Sequence, residues 1–169
     1  MHGGDMIHNP VTLMRLHEEI GPVVACNFDI AHMWYQGIDP IEAVRYLGPL
    51  IQHVHVKDTL IHEHNLRLKG FMDSGTPERP DERSWTYTLA GWGHDATLWK
   101  EFVTTLRLIG YDYVLSVEME SEYIDVQEGL EKSLEFLKPI VLLKSPGKKW
   151  WDIAGMERAG GLGENRNKE

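Results

Sequence analysis

Apolar positions along the chain alternate between two spacings. Asn9-Pro10 followed by Val11 to Ile20 predicts a helix, with Asn9 as its cap, Pro10 in the first turn and Gly21-Pro22 as its stop. Val23 to Asp29 is a short, nearly continuous apolar run ending in a carboxylate, the pattern of a buried parallel strand. Asp39-Pro40 caps a second helix, Ile41 to Leu47, which Gly48-Pro49 ends. Ile51 to Asp58 then alternates with period two, so His53, His55 and Lys57 share one face and Val54, Val56 and Asp58 the other.

Ala96 to Ile109 predicts an amphipathic helix with Leu98, Phe102, Leu106 and Ile109 on one side, Asp95 as cap and Gly110 as stop. Tyr113 to Glu118 is the next strand, again closed by a carboxylate. Val126 to Leu143 predicts the last helix, kinked or split at Pro139. Thr59 to about Asp95 predicts a long irregular region with a short strand at Ser84 to Leu89. Helices and strands in alternation give an α/β fold with a parallel sheet of three to four strands, which the family resemblance described below makes part of a (β/α) barrel. Residues 1–143 form this unit, and residues 144–169 read as a tail that Trp150 and Trp151 would anchor.

Composition changes the picture little. With 169 residues, 42% hydrophobic and 25% charged, the chain has the make-up of one globular domain, and no apolar run approaches membrane-spanning length. The single cysteine, Cys26, rules out an internal disulfide framework and fits a reducing compartment. Met1 to Asp5 lacks the basic and apolar regions of a signal peptide, so a cytoplasmic location is expected. A net charge of −9 disfavours broad contact with nucleic-acid backbones, yet leaves room for a small anionic substrate.

Candidate chemistry sits at the strand ends. In a (β/α) barrel these ends converge on one mouth, and here they carry Asp29, His55 and Glu118. Oxygen and nitrogen donors of this kind suit Mn²⁺, Mg²⁺, Co²⁺, Fe²⁺ or Zn²⁺. Glu120 shares the face of Glu118 and competes for its role. His32 follows Asp29 by three residues on the adjoining turn, and His53 reads as a hydrogen-bonded histidine beside the site. Lys57 and Asp58 fit either an ion pair lining the mouth or an ordinary solvated pair. His94, in Gly91-Trp92-Gly93-His94-Asp95, either reaches the site or caps a helix. Trp34 and Trp92 either wall a sugar ring or simply cover the mouth. The other histidines, including His62 and His64, are scattered.

Asn27 to His32, Gln36 to Pro40, His53 to Asp58, Gly91 to Asp95 and Leu115 to Glu118 together resemble the sugar phosphate isomerase/epimerase family of xylose isomerase-like TIM barrels. That resemblance implies one divalent metal, most often Mn²⁺, held by Glu, Asp, His and Glu from consecutive strands. Asp29, His55 and Glu118 would be three of those ligands, with Glu118 also a catalytic acid–base. His32, Lys57, His94 and Trp34 would contact a small sugar or sugar phosphate.

The family barrel has eight strands in about 250 residues, so the resemblance covers its C-terminal half. The family's first glutamate ligand would fall just before Met1-His2-Gly3. The chain therefore reads as a C-terminal fragment of a longer protein or a truncated gene product, and because three parallel strands leave two open edges and a bare inner face, oligomerisation or the missing N-terminal half-barrel is expected to complete or cover the sheet. Two other readings compete. An endonuclease IV-like phosphodiesterase shares the barrel but needs three metal ions and an Asp-x-His pair, where this chain has Trp92-Gly93-His94. A non-catalytic oligomeric remnant of the barrel is the other.

Overall fold

The protein is described by a computed structural model covering residues 1–72, 75–144 and 147. Most of the tail, with Trp150 and Trp151, lies outside the described residues. Helix α1 (Pro10–Ile20) begins where expected. The Asn9 side chain accepts from Thr12 N–H, and Thr12 Oγ1 accepts from Asn9 N–H in return, which closes a capping box. Strand β1 is Cys26–Asp29, three residues shorter than the apolar run, because Val23 stands exposed on the turn after Pro22. A single helical turn, α2 (Ala31–Trp34), leads toward α3 (Pro40–Leu47), whose first N–H groups are capped by Asp39. Strand β2 is Ile51–Val56.

The region expected to be irregular has its own structure. After Lys57 the chain runs directly into β3 (Asp58–Ile61), then α4 (Glu63–Lys69) and later β4 (Trp85–Thr88). β3 and β4 pair antiparallel, with Asp58 opposite Thr88 and Ile61 opposite Trp85. Only β4 has a periodic signal in the sequence. The α4 helix has no side-chain cap at His62 and is held instead by Asn65, whose amide donates to Asp81 O (2.8 Å) and Arg83 O (2.9 Å).

Helix α5 (Ala96–Leu108), strand β5 (Leu115–Val117) and helix α6 (Val126–Leu137) complete the fold. α6 stops at Leu137 rather than continuing to Leu143, since Pro139 lacks the N–H that another turn needs.

β1, β2 and β5 form one parallel sheet with β2 in the middle. Helices lie on one face of it. Phe28, Val54 and Val56 turn toward Val44, Leu47, Trp99, Phe102 and Leu106, and this packing is the core. Phe28 and Phe102 stack with ring centres 6.0 Å apart. The opposite face carries Asn27, His53, His55 and Ser116, and no helix covers it among the described residues. Three parallel strands alternating with helices, not closed on themselves, make a partial (β/α) barrel.

Candidate metal centre

Ladder register assembles the site. Asp29 pairs across to His55, and His55 to Ser116. Glu118 lies two residues beyond Ser116, and its N–H donates to Val56 O at 3.3 Å, so it prolongs the ladder. Asp29, His55 and Glu118 therefore arrive together at one end of the sheet. One donor atom from each lies within 4.8 Å of the other two. His55 Nδ1 is 4.0 Å from Asp29 Oδ2 and 3.3 Å from Glu118 Oε2. An octahedral ion with bonds of about 2.1 Å spaces its donors roughly 3 to 4.2 Å apart, so small side-chain adjustments suffice.

The trio fits a divalent cation on a second ground. Asp29 Oδ1 accepts from Ala31 N–H at 2.9 Å, but the buried Oδ2 has no well-aligned hydrogen bond. Lys57 Nζ stands 3.1 Å from it and offers charge without that alignment. Burial pushes the Asp29 carboxyl up to about 6, against the opposing pull of Lys57 and the Ala31 N–H. A buried carboxylate oxygen with spare capacity is a natural ligand atom.

Lys57 is 1% exposed and is the centre of the charge pattern. Its ammonium lies 2.7 Å from Glu118 Oε2, 2.5 Å from Glu120 Oε2 and 4.2 Å from the centre of the Tyr87 ring. Burial alone would lower its pKa, yet the neighbouring carboxylates raise it. Burial likewise works to raise Glu118, but Lys57, with Asp29 and His55, holds it below the ordinary carboxylate range. Both groups are therefore ionised at neutral pH.

His32 adjoins the same oxygen, its Nε2 3.4 Å from Asp29 Oδ2. The hydroxyls of Tyr35 and Tyr87 each lie 3.1 Å from its Nδ1. Burial pulls its pKa down to about 3, with help from the positive charges of His2 and Lys57, so the ring is neutral. His2 stacks on it with centroids 3.8 Å apart. His53 lies deeper on the inner face, its Nε2 3.0 Å from Ser116 Oγ.

Asp58 turns away from the mouth, so Lys57 and Asp58 form neither an ion pair nor a solvated pair. The fully buried Asp58 carboxylate accepts from the N–H groups of Thr59, Gly91, Gly93 and His94 and lies 2.7 Å from His94 Nδ1. A Cβ on Gly93 would fall 2.1 Å from Thr59 O, so this loop approaches β3 as only glycine allows. His94 also stacks on Trp34 at 3.8 Å, and both line a groove of about 460 Å³ with Asp39, Arg45 and Leu98. Their described contacts run to Asp58, Trp99 and each other rather than to Asp29, His55 or Glu118. Trp92 is exposed, and His62 bonds Thr86 within the β3–β4 unit.

The alternation Trp85-Thr86-Tyr87-Thr88 places Tyr87 on one face with Trp85, but nothing in the sequence directs it to the strand ends. It reaches the site because β4 pairs with β3, and β3 starts one residue after Lys57.

An open parallel sheet presenting Asp, His and Glu at its strand ends defines a portion of a (β/α) barrel with a candidate metal centre. The sequence pattern of the xylose isomerase-like TIM barrels matches residues 1–140, and the chain belongs to that family. It is 37% identical over 136 residues to the uncharacterized protein YfiH of Bacillus subtilis, covering 80% of this chain and 44% of that one. A shorter match, 41% over 49 residues, links it to a 3-dehydroshikimate dehydratase of Bacillus anthracis, covering 29% of this chain and 18% of that one. Among solved structures it is similar to a xylose isomerase domain protein of Planctomyces limnophilus, with TM-score 0.57 and 25% identity over 78% of this chain and 43% of that one. The chain thus spans less than half the length of each.

Proposed function

We propose that this chain supplies the Asp–His–Glu portion of a divalent-metal centre in a sugar or sugar phosphate isomerase or epimerase. The observation that carries the reading is the convergence of Asp29, His55 and Glu118 donor atoms within 4.8 Å at the strand ends of a family barrel. When bound, the ion, in this reading Mn²⁺, would polarise the substrate's carbonyl and hydroxyl oxygens. Glu118, ionised beside Lys57, is placed to take the proton from the carbon next to the carbonyl, leaving the electron pair to move toward oxygen. Neutral His32 and the Tyr87 hydroxyl beside it offer hydrogen bonds to substrate hydroxyls without adding charge. His94 and Trp34 are proposed as a more distant substrate wall.

The fourth ligand and a cover for the inner face come, in this reading, from the remainder of the barrel, carried on the same polypeptide or supplied by a partner seated on the open strand edges. A monomer in sedimentation that binds one Mn²⁺ tightly would count against that part. The central test is deuterium exchange from solvent into the carbon next to a ketose carbonyl. Glu118→Gln is expected to abolish exchange, and unchanged exchange would overturn the assignment. The match to a dehydratase favours a second outcome at the same centre, loss of water after the same proton abstraction, which product analysis separates from epimerisation.

A further inference from the structure

Lys57 does something no ordinary substrate-binding lysine need do: it stands on the ligand atoms themselves. Its Nζ lies 3.1 Å from Asp29 Oδ2 and 2.7 Å from Glu118 Oε2. These are the oxygens that, with His55 Nδ1, form the donor trio. In the same position the ammonium also lies 2.5 Å from Glu120 Oε2 and 4.2 Å from the centre of the Tyr87 ring, two partners outside the donor trio. Glu120 is half-exposed on the segment after β5, whereas Asp29 is buried.

From this geometry we infer that Lys57 is a displaceable stand-in for the cation, and that Glu120 with Tyr87 is the seat to which it withdraws. The inference rests on the metal centre proposed above. Two electrostatic facts require the exchange. Asp29 and Glu118 are close enough to repel, and among the described residues Lys57 is the lysine or arginine that neutralises both. A divalent ion and an ammonium held roughly 4 Å apart on shared oxygens repel by several kcal/mol even at an effective dielectric constant of about 20. Lys57 must therefore give up Asp29 and Glu118 when these oxygens take an ion. Its buried stem pins it near the site, and Glu120 lets the ammonium stay paired instead of being left as a lone buried charge. Lys57 thus sets cation affinity, and Glu120 moderates that setting.

The test is Mn²⁺ binding, by calorimetry or by the paramagnetic signal of free Mn²⁺, to the full chain and to Lys57→Met and Glu120→Gln. Thermal unfolding after chelator treatment runs in parallel. Lys57→Met is expected to bind Mn²⁺ about tenfold more tightly, because the competing cation is gone. It should unfold at a lower temperature without the ion, because Asp29 and Glu118 are left uncompensated. Glu120→Gln is expected to bind several-fold more weakly, because the ammonium then has only the ligand oxygens to sit on. A merely structural role for Lys57 cannot raise affinity, so the direction of the change is decisive. If wild type and Lys57→Met bind Mn²⁺ equally, or Lys57→Met binds less, the exchange is wrong while the metal centre stands. If Lys57→Met fails to fold, Glu120→Gln decides, and unchanged affinity there overturns the inference. If none of the three proteins binds Mn²⁺, both this inference and the metal centre fall.

Discussion

The parallel sheet and the β3–α4–β4 unit are built on different physics. The sheet is cemented by apolar packing, with Phe28, Val54, Val56, Trp99 and Phe102 essentially removed from solvent. The second unit relies more on polar contacts to buried groups: Asp58 gathers the 91–94 loop, Asn65 fixes α4, and Thr59 Oγ1 donates to Ala31 O at 2.9 Å, beside one aromatic anchor, Trp85 stacked on Tyr35 at 4.0 Å. Its only buried residue on α4 is Asn65. The two regions meet at adjacent residues, Lys57 facing the mouth and Asp58 facing the loop. Function on this scaffold needs both kinds of construction. The apolar half fixes where the strand ends are, and the polar half decides what surrounds them.

Four substitutions break or sharpen that contrast. Phe102→Ala, in the packed half, is expected to cost about 4 kcal/mol in urea unfolding; a cost below about 2 would mean that the sheet is not the stability centre. Asp58→Asn, at the join, is expected to cost about 3 kcal/mol, since one amide oxygen cannot satisfy the donors that both carboxylate oxygens serve. Unchanged stability would show the loop to be held by something else. Gly93→Ala drives a methyl into the Thr59 carbonyl and is expected to cost about 2 kcal/mol by the same measurement. Asn65→Ala is expected to cost about 1 kcal/mol and to speed amide exchange in residues 58–88 while leaving the sheet's slow amides as they were. Equal acceleration in β1 and β2 would show the two regions to unfold as one.

Legibility in the sequence followed the same division. α1, α3 and α5 are readable because a cap, a proline or an apolar stripe, and a closing glycine stand at fixed offsets. The site's strand-end trio is readable because period two and parallel pairing carry Asp29, His55 and Glu118 to one edge. β3 is not readable, because four residues continuing straight on from Lys57 look like the end of β2. Its partner lies more than twenty positions away, and only tertiary pairing turns it into a separate sheet. α4 has no apolar stripe, so its signal is the hydrogen bonding of one asparagine. Tyr87 enters the site only through that unpredicted pairing. Lys57 and Asp58 were each conspicuous, but whether adjacent charges serve each other or opposite sides depends on what lies beyond each face.

The opposed facing of Lys57 and Asp58 makes this junction intolerant of length change. One residue inserted or deleted between His55 and Lys57 would turn the acid toward the cation seat and the base toward the glycine loop, undoing both at once. Substitution can be absorbed here, whereas a frame slip of a single position cannot. Natural variation in chain length is therefore expected to collect in residues 62–82, where the connection runs outside the ladder, and to be absent from residues 55–58.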